Sequence, residues 1–161
     1  VTEPRQPATL DRAGIATRVP HAGRMCLLDR LEAWSAEHIH CSALSHADPD
    51  NPLRSASGLL APCAVEYAGQ AMALHGALLA APHAQPSAGY LASVRGVQCD
   101  VLRLDDIPGA LQVRAERLAG DELQVLYRFR VTDEHGAPLV EGRAAVVLAL
   151  PAAAAGEGGS R

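Results

Sequence analysis

Aromatic side chains are scarce in this chain. One Trp, one Phe and three Tyr make up 3% of its 161 residues. Hydrophobic residues still reach 48%, so a globular core is possible, but it has to be built from Ala, Leu and Val. The length suits one domain and is short for two. No C-x-x-C pair occurs. Cys26, Cys41, Cys63 and Cys99 are widely spaced, which argues against a zinc site or a redox pair. Each sits among apolar neighbours and is expected to be a reduced core thiol. Lysine is absent, and all 14 basic residues are Arg. They form no basic stripe, and the net charge is −4, so a nucleic-acid partner is not expected. No apolar run reaches the ~18–20 residues that span a bilayer, and no basic-then-apolar leader is seen. The expectation is a cytoplasmic protein without a membrane partner.

Residues 1–12 are polar and Pro-containing, and read as a flexible N-terminus. The stretch "VPHAGRMCLLDRLEAW" follows, with His21 directly after Pro20. "HIHCSALS", 38–45, alternates and reads as a strand. "HADPDNPLRSASG", 46–58, is a loop by composition. Pro62 to Ala81, "PCAVEYAGQAMALHGALLAA", reads as one long apolar helix. The second half has a period of two. "GYLASVRGVQCDVL", "ALQVRAERLAG", "ELQVLYRFRVTD" and "PLVEGRAAVVLAL" each read as a half-buried antiparallel strand. Leu111, Val113 and Ala115 fall on one face, and Gln112, Arg114 and Glu116 on the other. "LDDIPGA", "LAGDEL" and "DEHGAP" are the turns between strands. Residues 13–150 thus form a single α+β domain: a strand, a loop, the helix and a four-stranded meander. Residues 151–161, "PAAAAGEGGSR", read as a disordered tail.

The apolar helix carries one acid, Glu66. Glu66, Gln70 and Ala73 share a face on a 3.6-residue period, and Gln70 is placed to hydrogen-bond the carboxylate one turn away. Glu66 is either solvated on a partly exposed face or set in a pocket wall. The helix dipole favours its charged form, and apolar neighbours favour its protonated form. Small residues, Gly69 and Gly76 among them, suit close approach by a sheet or a second helix.

Two motifs resemble those of the hotdog-fold 3-hydroxyacyl-ACP dehydratases. Pro20, His21, Met25, Leu27, Leu28, Asp29 and Arg30 match that family's L-P-H-R-x-P-hydrophobic-L-L-x-D-R-V opening. Glu66, Gln70 and Ala71 match its E-x-x-A-Q-A helix, with Gly69 for the first Ala. The resemblance is nearest to the bacterial dehydratase-like branch associated with aryl-polyene clusters. It implies a hotdog fold, in which a curved antiparallel sheet wraps a long helix. It also implies elimination of water from a 3-hydroxyacyl thioester carried on phosphopantetheine, with no other cofactor and no metal. The family's G-H-F-P segment before the helix is absent. "NPLRSASGLLAPCAVE" stands there, and no His lies between His46 and His75. His21, or His46 from the loop, is therefore the candidate to replace the missing base, or nothing replaces it. Glu66 would be the general acid.

Gln70, Ala61, Pro62 and Cys63 would bind substrate, free N–H groups at the helix start polarising the thioester carbonyl. The implied partners are an acyl carrier protein or acyl-CoA thioester and a second hotdog subunit. That subunit would form a homodimer or a heterodimer, the His and Glu of one site coming from different chains. The rivals are a hotdog thioesterase and a non-catalytic acyl-binding subunit. Arg95, Arg103, Arg128 and Arg130 could meet an acidic carrier protein or be ordinary strand positions. His38 and His40 are read as a surface strand face, and His75 as a packed core histidine.

Overall fold

A computed structural model describes residues 6–80 and 89–148. The strands are β1 (Leu10–Asp11), β2 (Arg30–Trp34), β3 (His38–Ala43), β4 (Gly89–Cys99), β5 (Leu111–Gly120), β6 (Gln124–Thr132) and β7 (Pro138–Leu148). They form one seven-stranded sheet, in the order β1-β2-β3-β5-β6-β7-β4. Every pairing is antiparallel. Among the described residues two α-helices accompany it, α1 (Arg12–Ala16) and α2 (Ala64–Leu79). No helix among the described residues is long and apolar enough to cross a membrane.

The α+β expectation of a long helix against a curved antiparallel sheet is met. The meander is only partly right. β5, β6 and β7 follow one another, but β4 passes beyond them to pair with β7 at the far edge. β4 is also not half-buried. Its residues are exposed or partly exposed throughout, because α2 packs chiefly against β3, β5 and β6. Order begins before residue 13: Leu10–Asp11 pairs with Arg30 and Leu31, and Asp11 Oδ1 caps α1 by accepting Gly14 N–H. Residues 1–5, the tail 151–161 and Ala81 lie outside the described residues.

Helix α2 starts without a side-chain cap. A 3₁₀ turn, Ala61–Cys63, leads into it, with Pro62 at a position where no N–H is needed. Tyr67, Ala71, Leu74, His75 and Leu78 are buried, and their spacing is that of a helical stripe facing the sheet. Leu111, Val113 and Ala115 of β5 and Tyr127, Phe129 and Val131 of β6 supply the opposing surface. The other side of α2 is less covered. A Cβ built at Gly69 or Gly76 would meet nothing within 4 Å. These glycines do not serve close packing within this chain. They face open space.

The cysteines divide. Cys26 and Cys41 are buried, Cys63 is half-buried and Cys99, on the edge strand, is exposed. Burial pushes the Cys41 thiol up to about 12, with Glu32 adding to the effect. The loop before α2 is anchored at two points. Asn51 Nδ2 donates to Ser45 O and to Tyr67 Oη. Asp105, whose side chain is 3% exposed, pairs with Arg54 and Arg103 and accepts Leu59 N–H at 2.9 Å. Gly58 (φ +92°) passes so close that an added Cβ would lie 2.7 Å from Arg103 Nε and from Asp105 Oδ1.

The Arg103 guanidinium, chiefly, holds the Asp105 carboxyl well below the usual carboxylate range. A depressed folded-state pKa stabilises the fold above the unfolded value of ~3.9 and is lost as pH falls below it. Asp105→Asn is therefore expected to lower Tm at pH 7. Thermal melts from pH 7 to pH 3 should show the gap from wild type closing below about pH 4. A gap independent of pH would remove the ion pairs from the account.

Candidate functional site

The segment 21–29 is neither helix nor strand for most of its length, and it is held from several sides. Pro20 leads into His21, and Gly23–Met25 makes a 3₁₀ turn. Arg12 reaches across to Asp29 Oδ1 at 2.6 Å, while Asp29 Oδ2 accepts Leu44 N–H at 2.6 Å. Gln70, 1% exposed on α2, fixes the middle. Its Oε1 accepts Leu27 N–H at 2.9 Å, and its Nε2 donates to Met25 O at 2.6 Å. A donor on one side and a carbonyl on the other leave one orientation for the amide. The same Nε2 donates to Glu66 Oε1 at 3.2 Å. One side chain thus ties segment 21–29 to α2 and orients the carboxylate one turn before it.

Held this way, His21 Nε2 lies 3.0 Å from Glu66 Oε1. The side chains are 28% and 36% exposed, so the pair is open on one side. His21 Nδ1 is buried and has no hydrogen-bond partner among the described residues. His21 and Glu66 of one chain meet because Gln70 carries the His21 segment onto the helix that bears Glu66.

His46 is not a mobile base. It lies in a 3₁₀ turn, Ser45–Ala47, and is fully buried. Its Nε2 donates to Ile107 O at 3.0 Å, so it is held elsewhere. The helix start is also not a free donor site. Ala61 N–H donates to Leu102 O and Cys63 N–H to Leu60 O, and Ala64 N–H bonds back within the 3₁₀ turn. Pro62 has none to give. Ala61 is buried and Cys63 half-buried, so they line the helix entry without offering free N–H groups.

Three features were not read from the sequence. The first is a relay of hydroxyls beneath the site. Ser45 Oγ donates to Leu27 O, Tyr67 Oη donates to Ser45 Oγ at 2.8 Å, and Asn51 Nδ2 donates to Tyr67 Oη at 3.1 Å. Tyr67, next to Glu66, was the available signal, since a buried Tyr needs a partner for its hydroxyl. The second is a cavity of about 480 Å³ between α2 and the sheet, a volume usual for ligand pockets. Pro20, Ala73, Gly76, Val146 and Leu148 are among the residues that line it, and His21 and Glu66 are not.

The third is the polar wall of that cavity. His75 Nε2 must donate to Ser35 O at 2.7 Å, so Nδ1 is left to accept from Tyr127 Oη at 2.9 Å. Burial lowers the His75 pKa, which keeps the ring neutral. Burial pushes Tyr127 up to about 12. Tyr127 and Arg117 both line the cavity. His75 is a bridging core histidine, as expected.

A sheet wrapped round one long helix, with an acid on the first turn of that helix, defines a hotdog-fold protein. Residues 13–154 match the model of the ApeP-like family, described as ApeP dehydratase, and the chain belongs to that family. Solved structures agree on the fold. A chain of the dehydratase heterocomplex ApeI:P from Xenorhabdus doucetiae superposes with a TM-score of 0.73 at 23% identity, covering 84% of this chain and 91% of that one. Thioesterase HI1161 from Haemophilus influenzae gives 0.65 at 10% identity, covering 91% and 96%. A point mutant of thioesterase PA1618 from Pseudomonas aeruginosa gives 0.56 at 17% identity, covering 74% and 79%. No curated protein matches.

Gln70→Leu strips partners from Leu27 N–H and Met25 O. A buried polar group left unpaired costs about 1–3 kcal/mol. Denaturant unfolding should report a loss of that order for each of the two groups. Gln70→Glu keeps an acceptor for Leu27 N–H but sets a carbonyl and a second acid against its other side, and should also destabilise. Stability unchanged in both would show that the clamp is not formed in solution.

Proposed function

We propose that the chain is a dehydratase for 3-hydroxyacyl thioesters carried on phosphopantetheine, with His21 as base and Glu66 as acid. The observation that carries this reading is the 3.0 Å contact between His21 Nε2 and Glu66 Oε1, open on one side. The family's usual histidine before α2 is absent, and His21 is the histidine that reaches the acid.

The reaction needs one proton removed and one delivered. Neutral His21 takes the α-proton, the C–O bond to the 3-hydroxyl breaks, and protonated Glu66 gives that leaving group its proton. Water departs and a trans-2-enoyl thioester remains. His21 is then protonated and Glu66 ionised. Return of the proton from His21 to Glu66 across their contact restores the starting pair. Gln70 holds both partners in place for this exchange, and the cavity takes the acyl chain. A positioned acid or base contributes about 10²–10⁴-fold.

A second reading has its own support. The ApeI:P structure is a heterocomplex. In this chain the Glu66-bearing face of α2 and the outer edge of β4 lie open. This chain would then pair with a second hotdog subunit and complete or support a site there, with an acyl carrier protein delivering substrate. The thioesterase alternative shares the fold and differs in product.

Mass spectrometry of a 3-hydroxyacyl carrier protein after incubation separates these. Loss of one water by wild type is expected. Glu66→Gln and His21→Ala should each fall by at least ~10² while melting near the wild-type temperature. Release of free acid would establish a thioesterase. An unchanged substrate, with turnover appearing only when a second hotdog subunit is added, would favour the heterodimer reading.

A further inference from the structure

The cavity between α2 and the sheet has walls suited to an apolar chain, and one feature that such a chain does not need. Val19, Met72, Leu79, Val125 and Val146 are among the side chains that line it, and so is Arg117. In β5, Leu111, Val113 and Ala115 are buried on the face toward α2. Strand alternation puts Arg117 next on that same face. A cation thus follows three core residues on the inside of the sheet.

Its surroundings leave space for it and no counter-charge. Arg117 stands directly opposite Tyr127, which is 3% exposed. The register of β5 shifts between Arg117 and Ala119. Gly120 leaves the guanidinium room, since a Cβ there would lie 3.0 Å from Arg117 Nη2. Arg117 is half-buried. Among the described residues its guanidinium has no carboxylate within 4 Å and makes no side-chain hydrogen bond. Tyr127 Oη donates its proton to the neutral ring of His75. Burial lowers the His75 pKa and raises that of Tyr127; the charge of Arg117 adds to the first effect and opposes the second.

Arg18 and Asp121 are the other charged groups of the lining. Arg18 Nη1 turns back to the end of α1, to Gly14 O and Thr17 Oγ1. Asp121 is exposed in the turn after β5, where its Oδ1 accepts Leu123 N–H and Gln124 N–H. One uncommitted cation therefore remains on an apolar wall. A charge taken from water is costly unless it is paired. A chain ending in a methyl group would leave the guanidinium unmatched. A phosphate would bring about two charges and three oxygens to one cation. A carboxylate brings one charge and two oxygens, which the guanidinium fork meets with two N–H donors.

We propose that this cavity binds an apolar chain that ends in a carboxylate, with Arg117 as its counter-ion. The inference rests on the lining of the cavity itself. Such a ligand has two sources. One is a free carboxylic acid. The other is a 3-hydroxyacyl group whose far end carries a carboxylate, and that source alone rests on the dehydratase reading. Gly76, which lines the cavity, lies about 15 Å along α2 from Glu66, so the group at Arg117 would be the end remote from the thioester.

The test measures binding of octanoate and octan-1-ol to the full chain by calorimetry. Octanoate should bind saturably, and octanol at least about tenfold more weakly. Arg117→Gln should abolish that preference and melt no lower than wild type, since no ion pair is lost. Gly76→Leu is the second variant. A Cβ at Gly76 meets nothing within 4 Å, so the leucine enters the cavity, and binding of both probes should be lost with the fold intact. Equal binding of octanoate and octanol by wild type, or a preference that survives Arg117→Gln, overturns the proposal. So does tighter binding of octyl phosphate than of octanoate, or undiminished binding in Gly76→Leu. The source is read from turnover of two 3-hydroxyacyl pantetheine thioesters of equal length, one ending in a carboxylate and one in a methyl group. A kcat/KM advantage of the first that Arg117→Gln abolishes supports the proposal with the acyl end as ligand. Equal turnover beside octanoate binding supports it with a free acid as ligand. Absence of turnover with both thioesters counts against the dehydratase reading alone, since binding is measured without it.

Discussion

The amide of Gln70 is the contact on which the arrangement of the site depends. A primary amide offers a donor and an acceptor on one rigid group, and here both are used on backbone atoms two residues apart, Met25 O and Leu27 N–H. That fixes the position and the direction of an otherwise irregular segment. His21 reaches Glu66 because this segment cannot slide along the helix. Burial raises the stakes. In water an alternative partner would be at hand, but at 1% exposure a broken bond leaves two backbone groups with nothing to replace Gln70. A site built from a loop and a helix thus acquires the rigidity of a helix alone.

The remaining supports work in the same way, from polar groups rather than bulk. With few aromatics, the core is made of small aliphatic side chains, and the loops around it are held by named hydrogen bonds. Asp105 gathers two arginines and a backbone amide. Tyr67, one of three tyrosines in the chain, has its ring in the core and its hydroxyl in the relay that ends on Leu27 O. Each ties a segment distant in sequence to the region before α2, where the regular structure is two short 3₁₀ turns.

Much of this was legible before any coordinates. The period-two segments gave β5, β6 and β7, and the apolar run gave α2, because alternation and helical spacing are local properties. Glu66, Gln70 and His21 stood out by motif. What could not be read was long-range. Nothing local says that β4 pairs with β7 and not with β5, so the meander was assumed. Nothing in "HADPDN" says that His46 turns inward to the Ile107 carbonyl, since that partner lies 61 residues away. Helical glycines at 69 and 76 suggested tight packing, but the small side faces open space.

The strand order also sets a sequence of events in time. β4 ends at Cys99, yet its hydrogen-bonding neighbour, β7, begins at Pro138. During synthesis β4 therefore exists for about forty residues of chain growth, a few seconds at ordinary rates, with both edges unpaired. An unpaired strand is a template for wrong partners. β4 carries its own deterrents: breaks in register at Leu91/Ser93 and at Arg95/Gln98, and Gly96 in the left-handed region at φ +60°. These bend the strand and interrupt its ladder. Irregularity of this kind disfavours pairing with a foreign strand before the last strand of the sheet has been made.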